Sequence, residues 1–178
     1  FLAYAAATFS AMPLVAQAEW TETVQPDAGE ARDVHLQIVR PGFFPTIGTP
    51  VILGRDFSPA DRPGEVPVAV INERMARVLF GDQSAVGRYV TLRTGSFEKT
   101  PRQVVGVAGD ARYATVEADA PATLYLPSTQ APPSAVTFEV RSADPAALLP
   151  IVRGLAARQL PGVALTGATT MRQQIEDV

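Results

Sequence analysis

Apolar and polar residues alternate from Asp33 to Val39, with Val34, Leu36 and Ile38 on one side of the chain and His35 on the other. A period of two sends successive side chains to opposite faces, so the segment reads as a half-buried strand. The next run, PGFFPTIGTP, sets two aromatics between proline and glycine breaks and predicts a short helix packed on the sheet. Val51 to Phe57 reads as a second strand, which completes a strand-helix-strand unit. Ser58 to Pro67 is polar and proline-rich, the best boundary in the first half. Beyond it, Val68 to Ile71 predicts a strand feeding a helix. Asn72 is placed to cap that helix, and Glu73 lies in its first turn. Met75, Val78 and Leu79 share one helical face, and Gly81 supplies the stop.

Strands are predicted at Tyr89–Arg93, Gln103–Val107 and Thr123–Leu126, with TGSFEKTP as a hairpin-like loop between the first two. A second proline-rich junction, QAPPS, begins at Gln130. Ala135 to Arg141 then alternates as a strand, and Asp144-Pro145 starts a helix with a cap and a first-turn proline. Leu148, Ile151, Val152, Leu155 and Leu160 form its apolar stripe, ending at Pro161-Gly162. Pro150 and Gly154 weaken that helix and predict a kink or a late start near Pro150. Val163–Leu165 reads as a strand. Thr169-Thr170 open a last helix, with Met171, Ile175 and Val178 on one face. The arrangement is α+β, with cuts near residues 60 and 132.

The nearly uncharged segment Phe1 to Ala18 tests for a membrane span. A span needs about 20 strongly apolar residues, whereas Thr8, Ser10, Pro13 and Gln17 interrupt this one. No basic region precedes it, so it does not read as a signal peptide either. A buried strand starting near Phe1, with a loop from Met12-Pro13, is the expectation. The chain lacks an initiator methionine and reads as a piece of something longer.

Composition narrows the function. At 178 residues and 47% hydrophobic, the chain can bury a core. Fifteen basic against eighteen acidic side chains, net charge -3, leave no surplus to neutralise phosphates, so a nucleic-acid partner is not expected. With no cysteine and a single histidine, thiolate chemistry and Cys/His zinc sites are excluded. A hydrolytic triad would require His35, which lies on the polar side of its strand, and no G-x-S-x-G elbow occurs. Gly106 and Gly109 hint at a phosphate loop, but no phosphate-binding pattern is complete, and Asp110 would repel an anion. The acidic pairs Glu117/Asp119 and Glu176/Asp177 read as solvated surface charges. Trp20, in a polar segment, reads as a partly buried lid over a core edge. Phe97 and Tyr113 are the first places to look for a partner surface. The sequence assigns no catalytic residue, no cofactor and no metal site. A non-enzymatic role by contact and shape change follows.

Several segments, taken in order, resemble the periplasmic core domain of MacB-like ABC-transporter permeases. They are PGFFPTIGTPVILGRDF, VAVINERMARVLFG, AVGRYVTL, VVGVAGDARY, LYLPSTQ and TFEVRSADPAALLPIVRGLAARQLPGVAL. Their order and spacing cover most of Arg40 to Ile175; before Arg40 the match rests on TFSAMPL. The resemblance implies a porter-like subdomain from residues 1–60 plus 133–178, with a β-rich subdomain, 61–132, inserted between. It also implies another strand and helix before the point where this chain begins. The module would sit on the extracytoplasmic side of a cytoplasmic-membrane protein, between its first transmembrane helix and the rest. Its partners would be those helices and an ATPase subunit or domain, with a periplasmic adaptor or lipoprotein among the further candidates. Its function would be to couple ATP-driven membrane movement to a periplasmic partner or substrate, as mechanotransmission or efflux. The isolated domain is expected to be a monomer. A free-standing extracytoplasmic ligand-binding or adaptor domain is the alternative, and a small hydrolase using His35 the third reading.

Overall fold

The computed structural model describes residues 20–93, 99–111, 120–133 and 135–159, the backbone of 5–10, and residues 167, 169, 170, 172 and 173. Its elements are β1 (Ala5–Ser10), β2 (Thr21–Pro26), β3 (Arg32–Val39), α1 (Phe43–Ile47), β4 (Val51–Gly54), β5 (Val68–Asn72) and α2 (Glu73–Phe80). They continue with β6 (Tyr89–Leu92), β7 (Arg102–Ala108), β8 (Thr123–Pro127), β9 (Thr137–Ser142) and α3 (Pro145–Gln159). The strand expected in the N-terminal apolar segment is β1. Among the described residues no helix is long and apolar enough to cross a membrane.

The strands form one mixed sheet that closes on itself. Its order runs β2-β6-β7-β5-β8-β3, and β3 then pairs with β2 to complete a six-stranded ring. Closure removes the unpaired edges that an open sheet would present. β3–β8 and β5–β7 are parallel and the other pairs are antiparallel. Outside the ring, β4 adds to β7, and β1 pairs along its length with β9. Among the described residues this β1–β9 ribbon pairs with the ring at one position, Ser10 with Val39, and it also leans on α1. The pairings β2–β6 and β3–β8 link residues 1–60 to 61–132 by hydrogen bonds, so the cut near residue 60 passes through the ring.

Two apolar clusters explain the strand patterns. Every ring strand contributes to the first, which includes Val24, Leu36, Ile71, Leu92, Val104 and Leu124; Met75, Leu79 and Phe80 of α2 join it. The second lies on the opposite face of β5 and β8, where Phe43 and Phe44 of α1 pack with Val68, Val70, Tyr125 and Phe57. β5 is therefore buried on both faces, which accounts for its unbroken apolar run in place of an alternation. The α1 rings lock at right angles: Phe44 lies 5.5 Å from Phe43 and 5.0 Å from Tyr125, both edge-on.

Asn72 joins the ring to α2. Its side-chain oxygen accepts from the Met75 N–H at 3.0 Å and the Thr123 N–H at 2.9 Å, while its amide donates to the Pro121 carbonyl at 2.8 Å. The expected cap is thus also a cross-link to the start of β8.

Three sequence expectations change. The strand expected over Val51–Phe57 stops at Gly54, where β4, paired antiparallel with β7, comes so close that Gly54 turns at φ 71°. A Cβ on Gly54 would overlap the Val105 carbonyl oxygen, and one on Gly106 would overlap that of Arg55. α3 starts at Pro145 rather than near Pro150, because Asp144 caps it by accepting from the Ala147 N–H at 3.0 Å. Among the described residues of the α3 stripe only Leu148 is buried, while Ile151 and Leu155 stay exposed; Leu160 lies outside the described residues. The expected strand at Val163–Leu165 and the face of Met171, Ile175 and Val178 lie outside the described residues.

Candidate functional site

The residues with chemical potential are spread out, and each serves the fold. His35 is half-buried on β3, on the face opposite Val34 and Leu36, in register with Thr21 and Thr123. Gly106 pairs closely with Gly54 of β4, and the Gly109 N–H donates to the Pro50 carbonyl at 2.8 Å. The apparent phosphate loop is thus the end of β7 paired with β4. The start of α2 is already taken: Asp110 accepts from the Arg74 N–H at 2.8 Å and from Arg77 at 2.7 Å. An acidic side chain at a helix N-terminus is favourable there, and it occupies the place an anion would need. Trp20 is half-buried against the ring cluster and donates to Glu22 at 3.0 Å, the lid position expected for it. Glu117/Asp119, Glu176/Asp177, Phe97 and Tyr113 lie outside the described residues. Among the described residues no group of three or more His, Cys, Asp or Glu side chains could hold a metal ion.

Ion pairs fasten the loops at the ring's rim. Arg55 forks onto Asp61 through two bonds of 2.8 Å, and the Ser58 N–H adds a third at 2.7 Å. Thr129 donates to the Asp61 carbonyl, so the 55–61 turn is tied to the end of β8. Burial alone would raise the Asp61 pKa, but the Arg55 and Ser58 bonds outweigh it and hold the carboxyl below its ordinary value. Its neighbour Asp56 goes the other way: burial raises its pKa, against the Phe57 and Gly42 N–H groups that favour the charged form. On the other side, Arg88 forks onto Asp27 at 2.7 to 3.0 Å and stacks 4.9 Å over the Phe80 ring. The Arg88 bonds lower the Asp27 pKa. Such clamps hold loops in place.

What the described surface does offer is apolar contact area. Phe138 of β9 is 58% exposed, and Ile151 and Leu155 of α3 are 48% and 46% exposed. Ile52 and Leu53 of β4 are also exposed. Large exposed apolar side chains mark contact surfaces more than chemistry. Sequence reasoning missed Ile52, Leu53 and Phe138, because strand patterns do not say which face goes uncovered.

Comparison with known proteins agrees with this architecture. Residues 2–157 match the model of the MacB-like periplasmic core domain. The pyoverdine export ATP-binding/permease protein PvdT of Pseudomonas syringae is 36% identical over 90 residues, 49% of this chain and 13% of that protein. The chain therefore spans only a small part of that relative's length. Among solved structures, the periplasmic region of MacB from Actinobacillus actinomycetemcomitans matches with a TM-score of 0.65 and 16% identity, over 97% of this chain and 76% of that one. The extracellular domain of the transporter YknZ from Gram-positive bacteria matches with a TM-score of 0.59 and 20% identity, over 86% and 75%. At these identities the two structures speak for the α+β fold, and the family model carries the assignment. The chain belongs to the MacB-like periplasmic core domain family and is an extracytoplasmic domain of an ABC-transporter permease.

Proposed function

We propose that this domain couples ATP-driven movement of its permease to a periplasmic partner or substrate, by contact and shape change and without chemistry of its own. The observation that supports this reading is the division of mechanical character within the fold. The six-stranded ring is closed and packed on both faces of β5, whereas among the described residues the β1–β9 ribbon shares one strand pair with it and otherwise leans on α1; Phe138 of β9 and Ile151 and Leu155 of α3 face outward. A rigid body beside a lightly attached layer suits the transmission of movement. The partners of the role are the permease's membrane helices and its ATPase subunit or domain, with a periplasmic adaptor or lipoprotein beyond. On its own the domain is a monomer. The export activity in the name of the Pseudomonas relative makes a small exported molecule the first cargo to test.

The hydropathy of the native reading frame tests the setting. Apolar spans of about 20 residues shortly before Phe1 and soon after Val178 are expected on this reading. A frame with no such spans would contradict it and favour a free-standing binding domain.

A further inference from the structure

The ring and the β1–β9 ribbon meet across α1, and the two sides of that helix are attached differently. Toward the ring, Phe43 and Phe44 are fully buried against Val39, Val68, Val70 and Tyr125. Toward the ribbon, Arg141 of β9 donates from Nε to the Thr46 carbonyl. Thr46 lies in the last turn of α1, where carbonyls lack partners within the helix and accept from outside groups. A cationic donor makes that bond stronger than a neutral one would.

Gly48 makes room for the contact. It ends α1 at φ 84°, and its N–H donates to the Phe44 carbonyl at 2.9 Å. A Cβ on Gly48 would come within 2.6 Å of Arg141 Nη2. The guanidinium therefore lies directly over Gly48, whose positive φ itself favours glycine. Apart from α1, the ribbon's strand pairing to the ring among the described residues is the single pair Ser10 with Val39. Arg141 itself is exposed, so water can compete for its bond.

We infer that Arg141, seated on Thr46 beside Gly48, is a latch that fixes the angle between the ribbon and the ring. With the latch closed, ribbon and ring move as one. With it open, the ribbon turns about α1 while both apolar clusters stay intact. The inference concerns the joint alone and does not depend on what the domain couples to.

The absence of cysteine makes the test direct. Spin labels on cysteines at Val78, exposed on α2, and Phe138, exposed on β9, report the ring-to-ribbon distance by pulsed dipolar spectroscopy. The doubly labelled chain is expected to give one narrow distance. Adding Arg141→Ala should split or broaden the distribution, while the amides of β5, β7 and β8 keep their protection from hydrogen exchange. Gly48→Ala, which forces a Cβ into the left-handed turn directly under the guanidinium, should broaden it too. An unchanged distribution in Arg141→Ala overturns the latch. So does broadening accompanied by lost protection in the ring strands, since the contact would then act through overall stability.

Discussion

The ring strands and β9 of the ribbon are similar strands, yet they bury their side chains in opposite ways. In the ring, all five residues of β5 and all five of β8 are buried. In β9 no residue is fully buried, and Phe138 faces water although it lies mid-strand. The difference comes from pairing partners. Each ring strand has a neighbour on both sides and an apolar layer on at least one face, whereas among the described residues β9 pairs with β1 alone. Strand propensity is therefore a poor guide to stability, which is set by what covers the strand.

The comparison breaks most visibly at Phe44. Replacing it by Ala removes a fully buried ring between Phe43, Phe57 and Tyr125, and should cost about 3–5 kcal/mol, read as a fall in the urea midpoint. A loss under about 1 kcal/mol would show that the outer face of the ring is not a packed core. Next in size is Asn72→Ala. It removes the α2 cap and leaves the buried Thr123 N–H without its acceptor, for about 2–3 kcal/mol by the same assay.

Asp61→Asn sharpens the account of the clamps. The folded pKa of Asp61 lies below its ordinary value of 3.8, so its contribution is complete above that pH and is lost as pH falls through the folded pKa. The variant should lose about 1 kcal/mol at neutral pH and unfold with a shallower acid limb than the parent. Asp56 has the opposite sign: its raised pKa gives stability at low pH that is lost as pH rises through the folded value. Asp56→Asn should therefore leave neutral-pH stability equal or higher, and a clear loss there would contradict the assignment. The smallest effect belongs to the ribbon. Phe138→Ala, at 58% exposure, should move the unfolding midpoint by no more than about 0.5 kcal/mol. A loss comparable to that of Phe44 would erase the contrast between the two regions.

Local signals in the sequence were good guides to local structure. Val34, Leu36 and Ile38 do face the ring core, Asn72 does cap α2, and Asp144 does start α3. Each of these depends on neighbours a few residues away. Ring closure was not legible, because it depends on β2 meeting both β3 and β6, and nothing in TETVQP names those partners. The end of β4 at Gly54 was hidden for the same reason: the crowding atom belongs to Val105, far along the chain. The α3 stripe misled because periodicity identifies an apolar face without saying whether anything covers it. Pro150 misled in the other direction, since a proline lacks one helical donor but a good cap upstream still starts the helix. For function, the legible signal was the resemblance of several ordered segments to the MacB-like periplasmic core domain, which the family match over residues 2–157 bears out. Arg141 gave no signal at all, because its partner is a backbone carbonyl on another element.

The central claim is that the domain converts movement into an outcome outside the membrane. Its most direct test is a full-length permease in which residues 5–159 are replaced by a short linker, with ATP hydrolysis and cargo export measured side by side. The account predicts that hydrolysis persists while export is lost. Export at the parental rate from that truncated permease would contradict it.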